Sequence, residues 1–201
     1  MKSTVTIEME GFFKISDPET GEVFVDTHNA IHYENFSEAL ALAVANKGTG
    51  FMYKMYFGNG GTSVDPTGVI SYLPPNVNAS NDGLYNPTYS KIIDNTSTEN
   101  LDGSRNKMEV RHTPGKNYTD VLITCLLDYG EPADQAAFDN AQNLSGKYVF
   151  DELGIYGYDS SGNGKLLTHA VFHPVQKSLN RLMKIEYTVR ISTLTNLSSV
   201  L

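Results

Sequence analysis

The chain has 201 residues, enough for one domain with a proper core and no need of staples. Its formal net charge of −8, without a cluster of lysine or arginine, argues against a nucleic-acid surface, because phosphate contacts need concentrated positive charge. The single cysteine rules out an internal disulfide framework, and neither the N-terminus MKSTVTIEMEG nor any apolar stretch has the character of a signal peptide or membrane span.

In chain order, Val5, Ile7 and Met9 alternate with Thr6, Glu8 and Glu10, the period of two that marks a strand, and Gly11 signals a bend or bulge. Residues 12–15 and 22–26 flank a loop in which Pro18 fixes φ and Gly21 closes the turn, so a hairpin is predicted. A helix is predicted over 36–46, with Asn35 as N-cap, Glu38 in the reciprocal capping position and Gly48 as terminator. Ala39, Leu40, Ala43 and Val44 give it a stripe suited to close packing on a sheet. Residues 51–57 read as a central strand, apolar on nearly both sides, that runs into Gly58-Asn59-Gly60-Gly61. That cluster reads as a turn, since a phosphate cradle would continue into Lys, then Ser or Thr, and a helix.

From 65 to 115 the texture changes. Pro66, Pro74, Pro75, Pro87 and Pro114 lie among Asn, Ser, Thr, Asp and Gly, with strand-like patches only at 70–73, 89–93 and 108–110. A loop this long is usually functional or ordered by a partner, so the expectation is an excursion reaching a neighbouring subunit; the alternative is a surface insertion lying over its own domain. Residues 120–128 return to an interior strand, and Pro132 introduces a second short helix over 133–143. The last part reads as three strands, 148–158, 166–172 and 181–192, the first two joined by a Gly/Asn turn at 159–164, and is predicted to form a three-strand antiparallel meander. The predicted fold is mainly β, an antiparallel β-sandwich with two short helices and a long irregular insertion, in a single β-rich domain over 1–201.

Candidate chemistry is sparse. Cys125 sits in the apolar run 121–127 and reads as a small buried hydrophobe. His169 and His173 are four apart, as are His28 and His32, but neither pair has a cysteine or carboxylate placed to complete a tetrahedral set, so all four are read as structural or surface residues. Asp151 and Glu152 are adjacent, which in a strand sends them to opposite faces, the wrong arrangement for a cooperating acid and base. Glu152 instead reads as a buried or half-buried charge needing a partner such as Arg181 or Arg190. No nucleophile elbow or complete calcium loop is present in the sequence, so no catalytic, metal or cofactor-binding residue is assigned and no cofactor is expected.

Several stretches resemble tail and virion structural proteins of tailed bacteriophages, of the tail-collar fibre or fibre-adaptor type. They are Phe150-Asp-Glu-Leu-Gly-Ile-Tyr156 with its following Gly/Asn hairpin, Leu166 to Val171 and the alternation closing at Ile191. Met52 to Gly61 resembles the same group's apolar strand ending in a glycine element, and Gly11-Phe-Phe-Lys-Ile-Ser with Thr20-Gly-Glu-Val and Asn29-Ala-Ile31 resembles the leading hairpin of baseplate and neck proteins. The resemblance covers about half of the chain, and the shaft and receptor-binding head of a fibre are missing from it. It implies no catalytic residues. The expected function is an oligomeric adaptor in the tail neck, collar or baseplate, made in the host bacterial cytoplasm and placed in the virion, where it attaches fibres or neighbouring tail proteins. Its expected partners are other virion proteins and further copies of itself, with no nucleic acid and no membrane. The candidate assembly contacts are Glu152, Arg181, Arg190, Tyr72, Tyr85 and Tyr89. The rival from another class is a carbohydrate-binding β-sandwich, in which exposed tyrosines stack on sugars; the absence of Trp weighs against it.

Overall fold

The computed structural model describes residues 4–79, 83–133, 148–161 and 164–196. In chain order these form β1 (Thr4–Ser16), β2 (Val23–Ile31), α1 (Tyr33–Val44), β3 (Met52–Gly58), β4 (Thr62–Val64), β5 (Ile70–Tyr72), β6 (Pro87–Ile92), β7 (Lys107–His112), β8 (Tyr118–Leu127), β9 (Val149–Gly157), β10 (Leu166–Gln176) and β11 (Met183–Asn196). The second predicted helix, 133–143, lies outside the described residues apart from its first position.

Nine strands make one antiparallel sheet in the order β6-β3-β9-β10-β2-β1-β11-β8-β7, and β4 and β5 form a separate small hairpin. The sheet curls until its ends approach: Lys91 on β6 donates to the Leu126 carbonyl on β8 at 2.8 Å and pairs with Glu131 at 2.6 Å. Inside the curl, the alternation seen in the sequence becomes burial. Met183, Ile185, Tyr187 and Val189 of β11 are buried beside Ile123, Cys125 and Leu127 of β8 and Phe13 and Ile15 of β1. Opposite them lie Met55, Phe57, Phe150, Leu153, Ile155 and Phe172. Each such side chain removed from water contributes roughly 1.5–3 kcal/mol, which makes this strip the main source of stability.

The predicted meander is corrected. β9 and β10 pair as expected, but β11 pairs with β1 and β8, so the β1–β2 hairpin lies between β10 and β11. Alternation fixes which face of a strand is buried and says nothing about which strand lies beside it. The segment 65–115 also departs from an irregular excursion. Its three patches become β5, β6 and β7, and β6 and β7 supply the two outermost strands of the large sheet. Leu84 and Ile93 between and beside them are buried, so this stretch is part of the core.

The helix begins three residues earlier than predicted, capped by His32, whose ring accepts the Asn35 amide; Asn35 is inside the helix and buried. Glu38, predicted to complete a capping pair, reaches Lys165 instead. Of the predicted stripe Ala39 is buried and Leu40 half-buried, while Ala43 and Val44, the latter 82% exposed, are not covered; Phe36 supplies the other buried apolar side chain. Gly11 is a point of close approach within β1. A Cβ there would collide with the Asn29 side chain, which lies across it to donate to the Tyr187 hydroxyl.

Candidate functional site

The densest polar cluster is at the end of the sheet where β9 and β10 meet the loops that follow β3 and β5. Burial normally demands that every carboxylate oxygen and ring nitrogen find a partner, and here the partners are backbone amides. Glu152, fully buried, accepts from the amides of Gly60 at 3.1 Å, Tyr85 at 2.9 Å and Asn86 at 2.8 Å, and from His169 Nε2 at 3.0 Å. Asp151, on the opposite face of the same strand, accepts from the amides of Gly61 and Thr62, each at 2.9 Å, and from the Thr62 hydroxyl. The adjacent acids therefore grip one glycine loop from two sides, which is what opposite faces allow. Glycine is required for the approach: a Cβ at Gly58 would stand 2.5 Å from Glu152 Oε1 and 2.6 Å from the Asn86 carbonyl.

The glycine cluster is thus an anion cradle of the kind that backbone amides form, filled by the protein's own carboxylates. Burial pushes the Glu152 carboxyl upward, but its bond to His169 and its three amides more than offset this and hold it below the usual carboxylate range. At Asp151 burial prevails over the Thr62 and Gly61 donors, and the neighbouring Glu152 charge adds to it, so that carboxyl lies above its ordinary range.

His169 carries the network one step further. The Asn76 amide donates to its Nδ1 at 2.8 Å, so Nδ1 holds a lone pair and Nε2 carries the proton given to Glu152. An imidazole poised by a carboxylate has the outline of a catalytic dyad, but a general base needs a free nitrogen facing its substrate. In His169 that nitrogen is occupied by a backbone N–H. His32 is engaged in the same way: Nδ1 accepts from Asn35, and Nε2 lies 2.9 Å from the Ala79 carbonyl. Tyr156 takes the Leu84 amide at 2.9 Å, and burial raises its hydroxyl to about 12. Residues 76–79 and 84–86 are therefore tied down by His32, Glu152, Tyr156 and His169.

Each histidine pair singled out in the sequence is split, with His32 and His169 buried and His28 and His173 on the surface. No group of three or more metal-binding side chains occurs among the described residues. Cys125 is buried, and burial raises its thiol to about 12. The pairing expected for Glu152 is corrected. Arg190 forms a two-toothed pair with Asp120 at 2.8 and 2.9 Å, and Arg181 lies beside Asp17 and Glu22 at 3.9 and 3.7 Å. Glu152 has neither arginine among its partners; it lies beneath the loop that carries Tyr85 and Asn86.

Of the candidate tyrosines, Tyr72 is 52% exposed and meets His173 at 3.1 Å. Tyr85 is exposed, donates to the Pro74 carbonyl at 2.6 Å and tilts over the His169 ring. Tyr89 is half-buried, packs against Phe57, and has its hydroxyl raised by burial. Sequence reasoning missed His169 as the partner of Glu152; the signal available was one buried-strand carboxylate and one buried-strand imidazole on consecutive strands of a predicted hairpin. Comparison of the chain with known protein families, curated proteins and solved structures found no match.

Proposed function

We propose that the chain is a structural component of a tailed phage virion, an oligomeric adaptor of the neck, collar or baseplate that holds fibres or neighbouring tail proteins. The observation that carries this reading is that the buried acids and imidazoles are used to immobilise surface loops. A molecule whose costliest groups fix the position of backbone presents a shape, and a shape is what an adaptor offers. Within that reading, the two halves of the curled sheet act as the facing layers of a sandwich. Tyr187 on β11 donates to Thr168 on β10 at 2.7 Å across the interior, and the Phe13 and Phe172 rings meet at 5.6 Å.

The stretches that resemble phage structural proteins also work together here. Phe150 to Tyr156 is the body of β9, Met52 to Gly61 is β3 with its glycine loop, and the two are neighbours joined by the grip of Asp151 and Glu152. Gly11 and Asn29 of the leading hairpin are paired, and Asn29 reaches Tyr187. Native mass spectrometry of the purified chain tests the reading: a closed homo-oligomer, recovered also among the proteins of purified virions, is expected, and a monomer at every concentration that is missing from virions overturns it.

The carbohydrate-binding reading has one observation in its favour, the exposed rings of Tyr72 and Tyr85. Glycan-array binding lost in Tyr72→Ala and Tyr85→Ala would favour it over the adaptor.

A further inference from the structure

Antiparallel sheets end in rows of unpaired N–H and C=O groups, and chains usually cover or blunt such edges. β6 is blunted at its start by Pro87, and its end is followed by the turns of 94–106. β7 carries Lys107, Glu109 and Arg111 on one face, although Val110 on the other is 73% exposed. β1 differs. It pairs with β11 over its whole length from Thr4 to Ser16, but β2 joins it only from Gly11 onward. Among the described residues, positions 4–10 are therefore paired on one side and bare on the other, in a ribbon that overhangs the sheet. β2 leaves at Asn29 to join β10 and turn into α1, and the space it vacates is an open cleft of about 390 Å³ lined by Ile7, Met9, Ile31, Tyr33, Phe36 and Leu40.

The exposed groups here are apolar. Val5 is 56% exposed, Ile7 47% and Tyr33 62%, and Val5, Ile7 and Met9 continue the inward face that buries Phe13 and Ile15 lower down the strand. A face patterned for burial has been carried past the end of its own core.

We infer that a second copy of this chain covers this edge, with the two β1 strands pairing antiparallel about a two-fold axis at Ile7. The inference rests on the adaptor reading and names one contact of the assembly. An axis at Ile7 uses every bare position among the described residues, whereas an axis at Glu8 or Met9 would set glutamates directly opposite each other. In that register Val5 faces Met9 on the apolar side, and on the other side Glu8 faces Thr6 and Glu10 faces position 4, so no glutamate stands directly opposite another. Glu10 lies opposite Arg190 within its own chain, which tempers its charge. The incoming strand lays Val5, Ile7 and Met9 over the cleft beside α1. The joint is a continuous four-stranded ribbon, β11-β1-β1-β11, with both bare edges satisfied at once. Seven residues a side fall short of the ~1,600 Å² of a standard interface, so this contact alone makes a weak, concentration-dependent dimer.

Disulfide trapping tests the register. Paired residues on antiparallel strands stand about 4.5 or 5.5 Å apart at Cα, within disulfide reach in either case. Ile7→Cys is expected to give a covalent dimer on mild oxidation. Val5→Cys and Met9→Cys are expected to stay largely monomeric alone and to cross-link when mixed. Buried Cys125 leaves the background clean. Ile7→Lys places two ammonium groups on the axis and is expected to weaken sedimenting dimers by about tenfold or more, with thermal unfolding unchanged. An oligomer that survives Ile7→Lys and gives no cross-link in the Ile7→Cys variant overturns this contact while leaving the adaptor reading intact. A wild-type chain that is monomeric throughout overturns both.

Discussion

The two ends of the sheet are finished in opposite ways. Where β9 and β10 meet the loops, both carboxylate oxygens of Glu152 and both ring nitrogens of His169 find partners inside the chain. Where β1 and β11 overhang α1, an apolar-faced strand is left with one side bare. The first end is costly to build and pointless to disturb; the second costs little to leave open and gains only when something pairs with it. Substitutions at the two ends should therefore separate stability from association.

The sharpest way to break the contrast is to remove residues 76–106. This deletes β6, the buried Leu84 and Ile93, and the Asn76, Tyr85 and Asn86 amides that satisfy His169 and Glu152. The expected product has no cooperative unfolding transition by circular dichroism; a folded product would show that the loop end is dispensable. Next, Glu152→Ala leaves three amides and an imidazole N–H without an acceptor and should lower stability by about 3–5 kcal/mol in denaturant titration, with Glu152→Gln about half as severe.

Lys177 tests whether the interior tolerates charge. It is fully buried, its ammonium donates to the Ser178 carbonyl, and burial lowers it from 10.5 to about 8. The folded chain then binds fewer protons than the unfolded one between those values, so stability should rise as pH increases from about 8 to 10.5, by about 3 kcal/mol. A flat profile for the wild type relative to Lys177→Met would remove Lys177 as the cause. Glu152 acts with the opposite range. Its carboxyl is held low, so its contribution is complete above the ordinary carboxylate range and is lost as pH falls through its own lowered value, while Asp151, held high, relieves the fold as it takes up its proton.

Tyr187→Phe removes the hydroxyl that links Asn29 to Thr168 and should cost about 1–2 kcal/mol, read as a shift in the denaturation midpoint without a change in slope. The smallest effect on folding belongs to the overhang. Ile7→Lys should change stability by less than about 0.5 kcal/mol, since the side chain is already half in water. A large loss there would mean that the ribbon is held by its own chain.

Periodicity made the strands legible, because alternation is imposed by the water on one side and the core on the other. The faces of β11 and β8 followed directly from it, and so did the turn at Gly21, whose φ is 75°. Neighbour relations were not legible. Inserting the β1–β2 hairpin between β10 and β11 changes no residue's face and so leaves no trace in the pattern. The start of α1 was missed because an imidazole took the role usually given to Ser, Thr, Asp or Asn, and the apparent cap, Asn35, was needed one turn in to donate to the Leu166 carbonyl. At the loop end, adjacency showed that Asp151 and Glu152 face opposite ways. Their true partners are amides, which every residue but proline carries, and so no side-chain pattern announces them.

The place of β11 bears on how the molecule comes into being. It lies between β1 and β8, and without it the large sheet falls into two pieces, β6-β3-β9-β10-β2-β1 and β8-β7. Among the described strands a ribosome delivers β11 last, so the flanks of β1 and β8 that it will join wait unpaired until residues 183–196 have been made. Closure of the molecule is a late event joined to the arrival of residues 183–192, and the interval before it is when the nascent chain most needs shelter from its neighbours.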